Sequence, residues 1–201
     1  MMNTESLPGI KRLIHLARTQ STQLAAKALA ESGCAENTVV IADEQTAGYG
    51  RLDHKWASAP GGLYFSLLVR PETEPVYFAD LSAVVAEVLA GIFRCNFGLQ
   101  AKVKLPNDVY VFCGKAKKWL KISGVLSEAA SVPGEKSEWL IIGIGVNINN
   151  EEFPETAVSL KQLIGKETGI MEFAGLFFKE FWPQYFAWEC GGRLKSAGET
   201  R

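Results

Sequence analysis

Residues 43–56 read DEQTAGYGRLDHKW, and the rest of the sequence is organised around this stretch. It follows a predicted strand at Thr38–Ala42 and contains two glycines, Gly48 and Gly50, followed by Arg51. Glycine weakens regular elements but lets a backbone approach a ligand closely, and arginine supplies charge for an anion. The stretch therefore predicts a loop that closes over a charged ligand. A long polar surface loop is the alternative that this stretch alone leaves open.

The composition is that of an ordinary globular protein. The 201 residues are 47% hydrophobic and 21% charged, which suits one domain with a sizeable core. The net charge of -1 provides no overall field for nucleic acid or an anionic membrane, so a bound anion must be held by local cations. No apolar run approaches the ~18–20 residues that cross a bilayer, and the N-terminus has no signal-peptide core.

The cysteines and histidines favour a cytoplasmic protein without a zinc site. The four cysteines are widely separated and form no CxxC pair, so we expect reduced thiols. The two histidines are also far apart in the sequence, and no protein ligands for a metal ion are expected.

Apolar spacing and turn residues predict strands and helices in irregular order. The predicted strands are Ile10–Leu16, Thr38–Ala42, Leu63–Val69, Ala101–Lys104, Val109–Phe112, Lys121–Glu128 and Trp139–Asn147. The predicted helices run from Ser21 or Thr22 to about Ser32, over Phe78–Cys95 and over Phe173–Trp188, where Pro183 is expected to kink or split the helix. This order predicts an α+β (α/β) domain with a central mixed, mostly antiparallel sheet flanked by helices. The glycine loop fits neither a GxGxxG nor a Walker A pattern.

Four segments taken together resemble the catalytic domain of biotin protein ligases, of the biotin/lipoate ligase superfamily. They are QTAGYGR at 45–51 with KW at 55–56, KLPND at 104–108, KISGVL at 121–126 and GIGVNIN at 143–149. The residues STQ at 21–23 are similar to the STN of that family. The resemblance runs from about Leu13 to Asn149 and rests on the order of the four segments, since each alone is modest.

The resemblance implies a two-step reaction. The biotin carboxylate attacks the α-phosphate of ATP, which gives biotinyl-5′-AMP and pyrophosphate. A lysine of a biotin carboxyl carrier protein or domain then attacks this mixed anhydride. The implied ligands are biotin, ATP and Mg²⁺, and neither nucleic acid nor membrane is an expected partner. Homodimers are common in the family, so the chain is a candidate for one.

The resemblance also implies roles for individual residues. The catalytic residues would be Lys121, Arg51 and Asp108. The biotin-binding residues would be Ser21, Thr22, Gln45, Gly48, Arg51, Lys121 and Gly124. The nucleotide-binding residues would be Gly50, Arg51, Trp56, Asn107 and Asn147.

Several of these residues also have purely structural interpretations, which remain open at this point. Ser21 and Thr22 can cap a helix, Lys121 can be a solvated strand end and Asp108 can form an Asx-turn; Trp56 can anchor the core and Asn147 can cap a strand. Two other functions are alternatives: a lipoate or octanoate ligase or transferase of the same fold, and a non-catalytic biotin or adenylate binding protein. The RRxxGGG pattern of lipoate ligases is absent from the sequence.

The chain departs from the family pattern in its glycine loop. Tyr49 replaces an arginine, and Asp53 and His54 stand where glycine and arginine are usual. We therefore expect weaker retention of the adenylate unless Lys104 or the basic hairpin at Gly114–Lys118 compensates. Leu105 replaces a tryptophan of the pocket wall, and the two alternatives are more room near biotin or simple repacking.

The expected organisation is a single catalytic domain over residues 1–192 followed by a tail at 193–201. Neither the N-terminal DNA-binding domain nor the C-terminal β-barrel domain of some relatives is expected.

Overall fold

The computed structural model of the chain describes residues 7–73, 77–130 and 138–191. The tail expected at 193–201 lies outside this part. The strands in chain order are β1 Arg12–Thr19, β2 Thr38–Gln45, β3 Leu63–Val69, β4 Ala101–Lys104, β5 Asp108–Cys113, β6 Lys118–Ala129 and β7 Leu140–Val146. The α-helices are α1 Thr22–Glu31, α2 Phe78–Phe97, α3 Leu160–Ile164 and α4 Ile170–Glu189, with a short 3₁₀ helix at Arg51–Asp53.

The seven strands form one sheet in the order β1-β2-β3-β7-β6-β5-β4. Strands β1 and β2 are parallel, because α1 carries the chain back between them, and the other neighbours are antiparallel. The prediction of a central mixed, mostly antiparallel sheet flanked by helices is confirmed.

The helices lie on opposite faces of the sheet. Helix α2 packs against β4, β5, β6 and α4, and this side holds the larger apolar core. Helix α1 packs against β2, β3 and β7 on the other face, over a smaller apolar cluster. The face that carries α1 is therefore only partly covered, and its open part contains the candidate site.

The prediction was that Pro183 kinks or splits the last helix, and the split was wrong: α4 runs unbroken from Ile170 to Glu189. Pro183 lies on the exposed side of the helix, so the hydrogen bond that proline cannot donate is missing at the surface and not in the core. Buried aromatic residues on both sides of it, Phe177, Phe181, Tyr185 and Trp188, hold the helix against the core.

Element boundaries differ modestly from the predicted ones. Strand β1 begins at Arg12 and extends to Thr19, and β2 extends into the glycine stretch as far as Gln45. The short helix α3 lies in a region expected to be turn-rich. Strands β3 and β4 have the predicted bounds, since prolines or glycines flank both.

Candidate active site

A cavity of about 300 Å³ lies between the start of α1, the glycine loop and the faces of β6 and β7. It brings together ten of the residues predicted for the site: Ser21, Thr22, Gln45, Gly50, Arg51, Trp56, Asn107, Asp108, Lys121 and Gly124. Two predicted residues do not line it. Gly48 lies behind Gln45, where a Cβ would be 2.6 Å from Ser58 Oγ, and Asn147 lines a neighbouring cavity.

The floor of the cavity is a set of buried polar side chains at the start of α1. Ser21 is the N-cap, and its Oγ accepts a hydrogen bond from the backbone N–H of Gln23 at 3.2 Å. Gln45 Oε1 accepts from the Thr22 backbone N–H at 2.8 Å and lies 3.2 Å from Thr22 Oγ1. The capping interpretation of Ser21 is thus correct, and the same residue also faces the cavity.

A second pair of residues, Gln23 and Ser66, fixes the direction of the hydrogen bonds in this floor. Gln23 Nε2 donates to Ile141 O at 3.4 Å, so Gln23 Oε1 accepts from Ser66 Oγ at 2.9 Å. Ser66 Oγ is also the donor in its 3.0 Å contact with Thr22 Oγ1, so its proton is shared between Gln23 and Thr22. Thr22 Oγ1 in turn donates to Gln45 Oε1 at 3.2 Å, and its second lone pair is left for a ligand N–H.

The orientation of the Gln45 amide is also fixed from behind. Gln45 Nε2 donates to Ser58 Oγ at 2.8 Å, and Ser58 Oγ donates to the backbone oxygen of Trp56 at 3.2 Å. This chain of bonds keeps Gln45 Oε1, an acceptor, at the floor of the cavity.

Lys121 and Asp108 form an ion pair at the mouth of the cavity. Their Nζ and Oδ1 atoms are 2.7 Å apart, and only 28% and 22% of the two side chains are exposed. Lys121 Nζ is also 5.2 Å from the centroid of the Trp56 ring. Lys121 is therefore held in place rather than solvated at a strand end, and Asp108 does more than shape a turn.

A β-bulge places Lys121 on the cavity face. Val109 pairs with Ser123 whereas its neighbour Tyr110 pairs with Lys121, so Ile122 is an extra residue in β6. Strict alternation would put Lys121 on the face opposite Gly124. The bulge reverses this, and both residues line the same cavity.

The glycine loop folds over the cavity as a small hairpin. Tyr49 pairs with Lys55, Gly50 N–H donates to His54 O at 2.7 Å, and the tip residue Leu52 is 86% exposed. The Tyr49 hydroxyl donates to Glu128 Oε2 of β6 at 3.0 Å, which ties the loop to the sheet.

The basic residues of the loop lie around the cavity. Arg51, His54 and Lys55 all line it and are exposed, so their charges face whatever ligand it holds. Among the described residues, Asp108 is the only carboxylate that lines the cavity.

Trp56 separates this cavity from a smaller one of about 110 Å³ that is lined by Asn147. A Cβ at Gly145 would be 2.5 Å from the Trp56 ring, so the glycine is needed for the ring to lie flat on β7. The indole Nε1 is buried and has no hydrogen-bond partner among the described residues. Asn147 is 2% exposed and accepts from Asn150 Nδ2 at 3.0 Å. Trp56 and Asn147 therefore each have a structural role and also border a cavity.

Two further expectations do not fit the geometry. Leu105 is 74% exposed and lines no wall of the cavity, so its difference from the family tryptophan does not enlarge this space. Lys104 also lies outside the cavity, with Nζ 5.5 Å from the centroid of the Tyr110 ring, and is not placed to compensate for the altered loop.

The Asn107 amide donates to Val125 O at 2.7 Å, so this residue holds its turn on β6.

The cavity is also lined by residues that were not among those predicted for the site, including Gln23, Ser66, Tyr49, Gly143 and Gly145. The GIG of residues 143–145 carried a usable signal, because alternate glycines in a buried strand indicate close approach of another group. Ser66 carried a weaker one, as the only polar residue within LYFSLLV.

The described residues do not form a typical metal-binding site. They contain no cluster of three or more His, Cys, Asp or Glu side chains. No helix in the described ranges is long and apolar enough to cross a membrane. What the cavity offers instead is a polar floor with fixed donors and acceptors, and cations at its mouth.

The seven-stranded sheet and its helices have the fold of biotin protein ligases. The structure is similar to a biotin protein ligase from Aquifex aeolicus in complex with biotin and ATP, with a TM-score of 0.74 and 31% identity over 90% of this chain and 73% of that one. The sequence model of the Biotin/lipoate A/B protein ligase family matches residues 15–147, and the chain belongs to this family.

Two curated relatives illustrate how far the similarity extends. The bifunctional ligase/repressor BirA of Bacillus spizizenii is 32% identical over 185 residues, which cover 87% of this chain and 55% of the relative. A biotin–[acetyl-CoA-carboxylase] ligase of Paracoccus denitrificans is 35% identical over 136 residues, which cover 66% of this chain and 53% of the relative. The chain thus spans about half the length of the curated relatives it matches.

Proposed function

We propose that the chain activates biotin with ATP and transfers it to a lysine of a biotin carboxyl carrier domain. The observation that carries this proposal is the 2.7 Å pair of Lys121 and Asp108 at the mouth of a cavity whose floor presents fixed polar groups. The names of the similar proteins, which include biotin–[acetyl-CoA-carboxylase] ligase, support it.

The floor suits the ureido ring of biotin. Thr22 Oγ1 and Gln45 Oε1 are held as acceptors, while Ser21 Oγ, which already accepts from Gln23, has its own proton to donate. A cyclic urea has two N–H donors and one carbonyl acceptor, which complements this set. A dithiolane ring has no N–H groups and would donate no hydrogen bond to this set.

Activation would take place at the mouth of the cavity. An oxygen of the biotin carboxylate attacks the α-phosphorus, the bond to the bridging oxygen breaks and pyrophosphate leaves. Lys121 would hold the two mutually repelling anions together, and Arg51 would close on the product from the loop. The Mg²⁺ that accompanies ATP would be held chiefly by phosphate oxygens and would neutralise part of their charge.

Transfer would use the same mouth. The amine of the carrier lysine attacks the carbonyl carbon of the anhydride and AMP leaves. Asp108 is the described carboxylate that lines the cavity, and it is placed to orient the amine and accept its proton. The Trp56 ring and Asn147 would contact the adenine from the adjacent cavity.

We also propose that the protein is cytosolic and forms a homodimer. All four cysteines are free thiols in the structure, which supports a cytosolic protein. A homodimer is testable by sedimentation equilibrium across a range of concentrations.

Pyrophosphate release tests the proposal directly. Purified protein is given ATP with Mg²⁺ and biotin, lipoate or octanoate in turn, followed by a biotin carrier domain. We expect release with biotin and then mass labelling of one carrier lysine. Release only with lipoate or octanoate would indicate a lipoate or octanoate ligase instead. Biotin binding without release would indicate a binding protein.

A further inference from the structure

The open part of the sheet beside Lys121 carries a continuous row of lysine and aromatic side chains. Cross-strand partners in an antiparallel sheet point to the same face. Lys104 is opposite Asp108, Lys102 is opposite Tyr110, and Tyr110 is opposite Lys121. Continuing outward, Phe112 is opposite Trp119. We call this set the lysine–aromatic face: Lys102, Lys104, Tyr110, Phe112 and Trp119.

The orientation of this face is fixed by what lies on the other side of the same strands. Val109, Val111 and Leu120 alternate with the residues of the lysine–aromatic face and are buried in the main core with α2. Ala101 and Val103 of β4 also pack against that core. The lysine–aromatic face therefore points away from α2, to the side on which the catalytic pair lies.

The lysines of the face are exposed but not loose. Lys102 Nζ lies 4.1 Å from the centroid of the Trp119 ring, and Lys104 Nζ lies 5.5 Å from that of Tyr110. A cation over an aromatic ring is held in position and keeps its charge available. Trp119 is 36% exposed, and Leu105 at the edge of the face is 74% exposed. Aromatic residues are enriched at protein interfaces, so the exposed part of Trp119 favours a binding surface here.

The charge of this region differs from that of the rest of the chain. Residues 101–121 contain six lysines and a single acidic residue, Asp108, whereas 21 of the 22 acidic residues of the chain lie elsewhere. A local excess of one sign on a chain of net charge -1 indicates a partner surface of opposite charge.

We propose that the lysine–aromatic face docks an acidic surface of the carrier protein whose lysine is modified. This inference rests on the proposed function. The acceptor lysine must bring its amine to Asp108, and α1 and the glycine loop occupy the other sides of the cavity. The body of the carrier would then lie over the open sheet next to Asp108, where Lys104 is the direct cross-strand neighbour.

The two half-reactions separate docking from catalysis. In the variant K102E/K104E we expect biotin-dependent pyrophosphate release to stay within about twofold of the unaltered chain, since neither lysine lines the cavity. We expect the KM for the biotin carboxyl carrier domain of acetyl-CoA carboxylase to rise about tenfold or more, with a weaker dependence of kcat/KM on NaCl concentration. The variant K102R/K104R keeps the charges and should restore both values.

The matched control is Lys179→Glu, an exposed lysine on α4, which packs on the opposite side of the sheet. It should change neither half-reaction. An unchanged carrier KM in K102E/K104E would overturn the proposal. If the unaltered chain is a dimer, and K102E/K104E dissociates it without changing the KM for the carrier, the proposal is also overturned. The face would then join two copies of the chain.

Direct binding keeps the proposal testable even if the proposed activity fails. Titration of the carrier domain into the protein in a calorimeter needs no turnover. Wild-type binding that K102E/K104E weakens, without pyrophosphate release from either protein, would support docking and refute the proposed ligase activity. Equal affinity of both proteins for the carrier would refute docking.

Discussion

Lys121 Nζ and Asp108 Oδ1 lie 2.7 Å apart on neighbouring strands β6 and β5, and both side chains are mostly buried. The pair holds a cation at the cavity mouth before any ligand arrives, which lowers the cost of reorganising the site. A substrate carboxylate must therefore either share Lys121 with Asp108 or displace Asp108 from Lys121. In the proposed mechanism the two residues serve different steps: the cation serves activation and the carboxylate serves transfer.

Replacing Lys121 by alanine should abolish activation and leave biotin binding largely intact. The lost cation acts on charge that grows during the reaction, so its removal costs ~3–4 kcal/mol, or about 100-fold to 1,000-fold in rate. Pyrophosphate release measures the rate and titration calorimetry measures biotin binding. Lys118→Ala, at an exposed position of the same strand, is the control and should release pyrophosphate normally. Full activity of Lys121→Ala would contradict the proposed mechanism.

Asp108→Asn should separate the two steps in the opposite way. The amide keeps the size of the side chain and its contact with Lys121 but accepts a proton poorly. We expect pyrophosphate release within a few-fold of normal and carrier labelling slower by about 100-fold or more. Single-turnover transfer from preformed biotinyl-5′-AMP gives the rate of the second step. Asp80→Asn, at an exposed acid in the first turn of α2, should leave this rate unchanged. Equal transfer rates for Asp108→Asn and the unaltered chain would remove Asp108 from the chemistry.

The sequence was most informative where local chemistry decides the structure. Leu63–Val69 is rich in β-formers and reads as a strand without knowledge of its neighbours, and its bounds were predicted correctly. The direction in which Lys121 points depends instead on the bulge at Ile122, which is a property of the pairing between β5 and β6. The pattern of one strand does not encode that pairing, so motif resemblance rather than periodicity pointed to Lys121.

The same distinction explains the missed polar residues. Gln23 and Ser66 meet only because α1 lies across β3, and their contact spans 43 positions of the sequence. Pro183 gives the reverse case: its local effect predicts a broken helix, but burial of Phe181 and Tyr185 on either side maintains α4. Tertiary packing decided both outcomes.

Ser66→Ala should weaken biotin binding through Thr22 without touching the ligand. Loss of the hydroxyl leaves Gln23 Oε1 without its donor and removes one of the two hydrogen-bond partners of the Thr22 hydroxyl, so that only Gln45 Oε1 still orients it among the described residues. We expect the KM for biotin to rise about tenfold with kcat nearly unchanged, and the free energy of unfolding to fall by ~1–2 kcal/mol. Steady-state kinetics and urea denaturation measure these quantities.

A second buried serine provides the control for Ser66→Ala. Ser82 is 8% exposed, and its hydroxyl donates to Ser127 Oγ at 2.8 Å outside the cavity that the glycine loop covers. Ser82→Ala should lower stability by a similar amount and leave the KM for biotin unchanged. If both variants raise this KM equally, the effect comes from general destabilisation and not from the orientation of Thr22.

Gly145→Ala should impair ATP binding more than biotin binding. The new Cβ would lie 2.5 Å from Nε1 and Cε2 of Trp56, so the ring that separates the two cavities must move. Overpacking of this kind costs ~1–3 kcal/mol, and we expect the KM for ATP to rise about 5-fold to 100-fold. Gly175→Ala is the matched control, because a Cβ at this helical position meets no atom within 4 Å and should stabilise α4 slightly. ATP titrations of pyrophosphate release at saturating biotin compare the two variants. An unchanged KM for ATP in Gly145→Ala would show that the position of the Trp56 ring does not matter to the nucleotide.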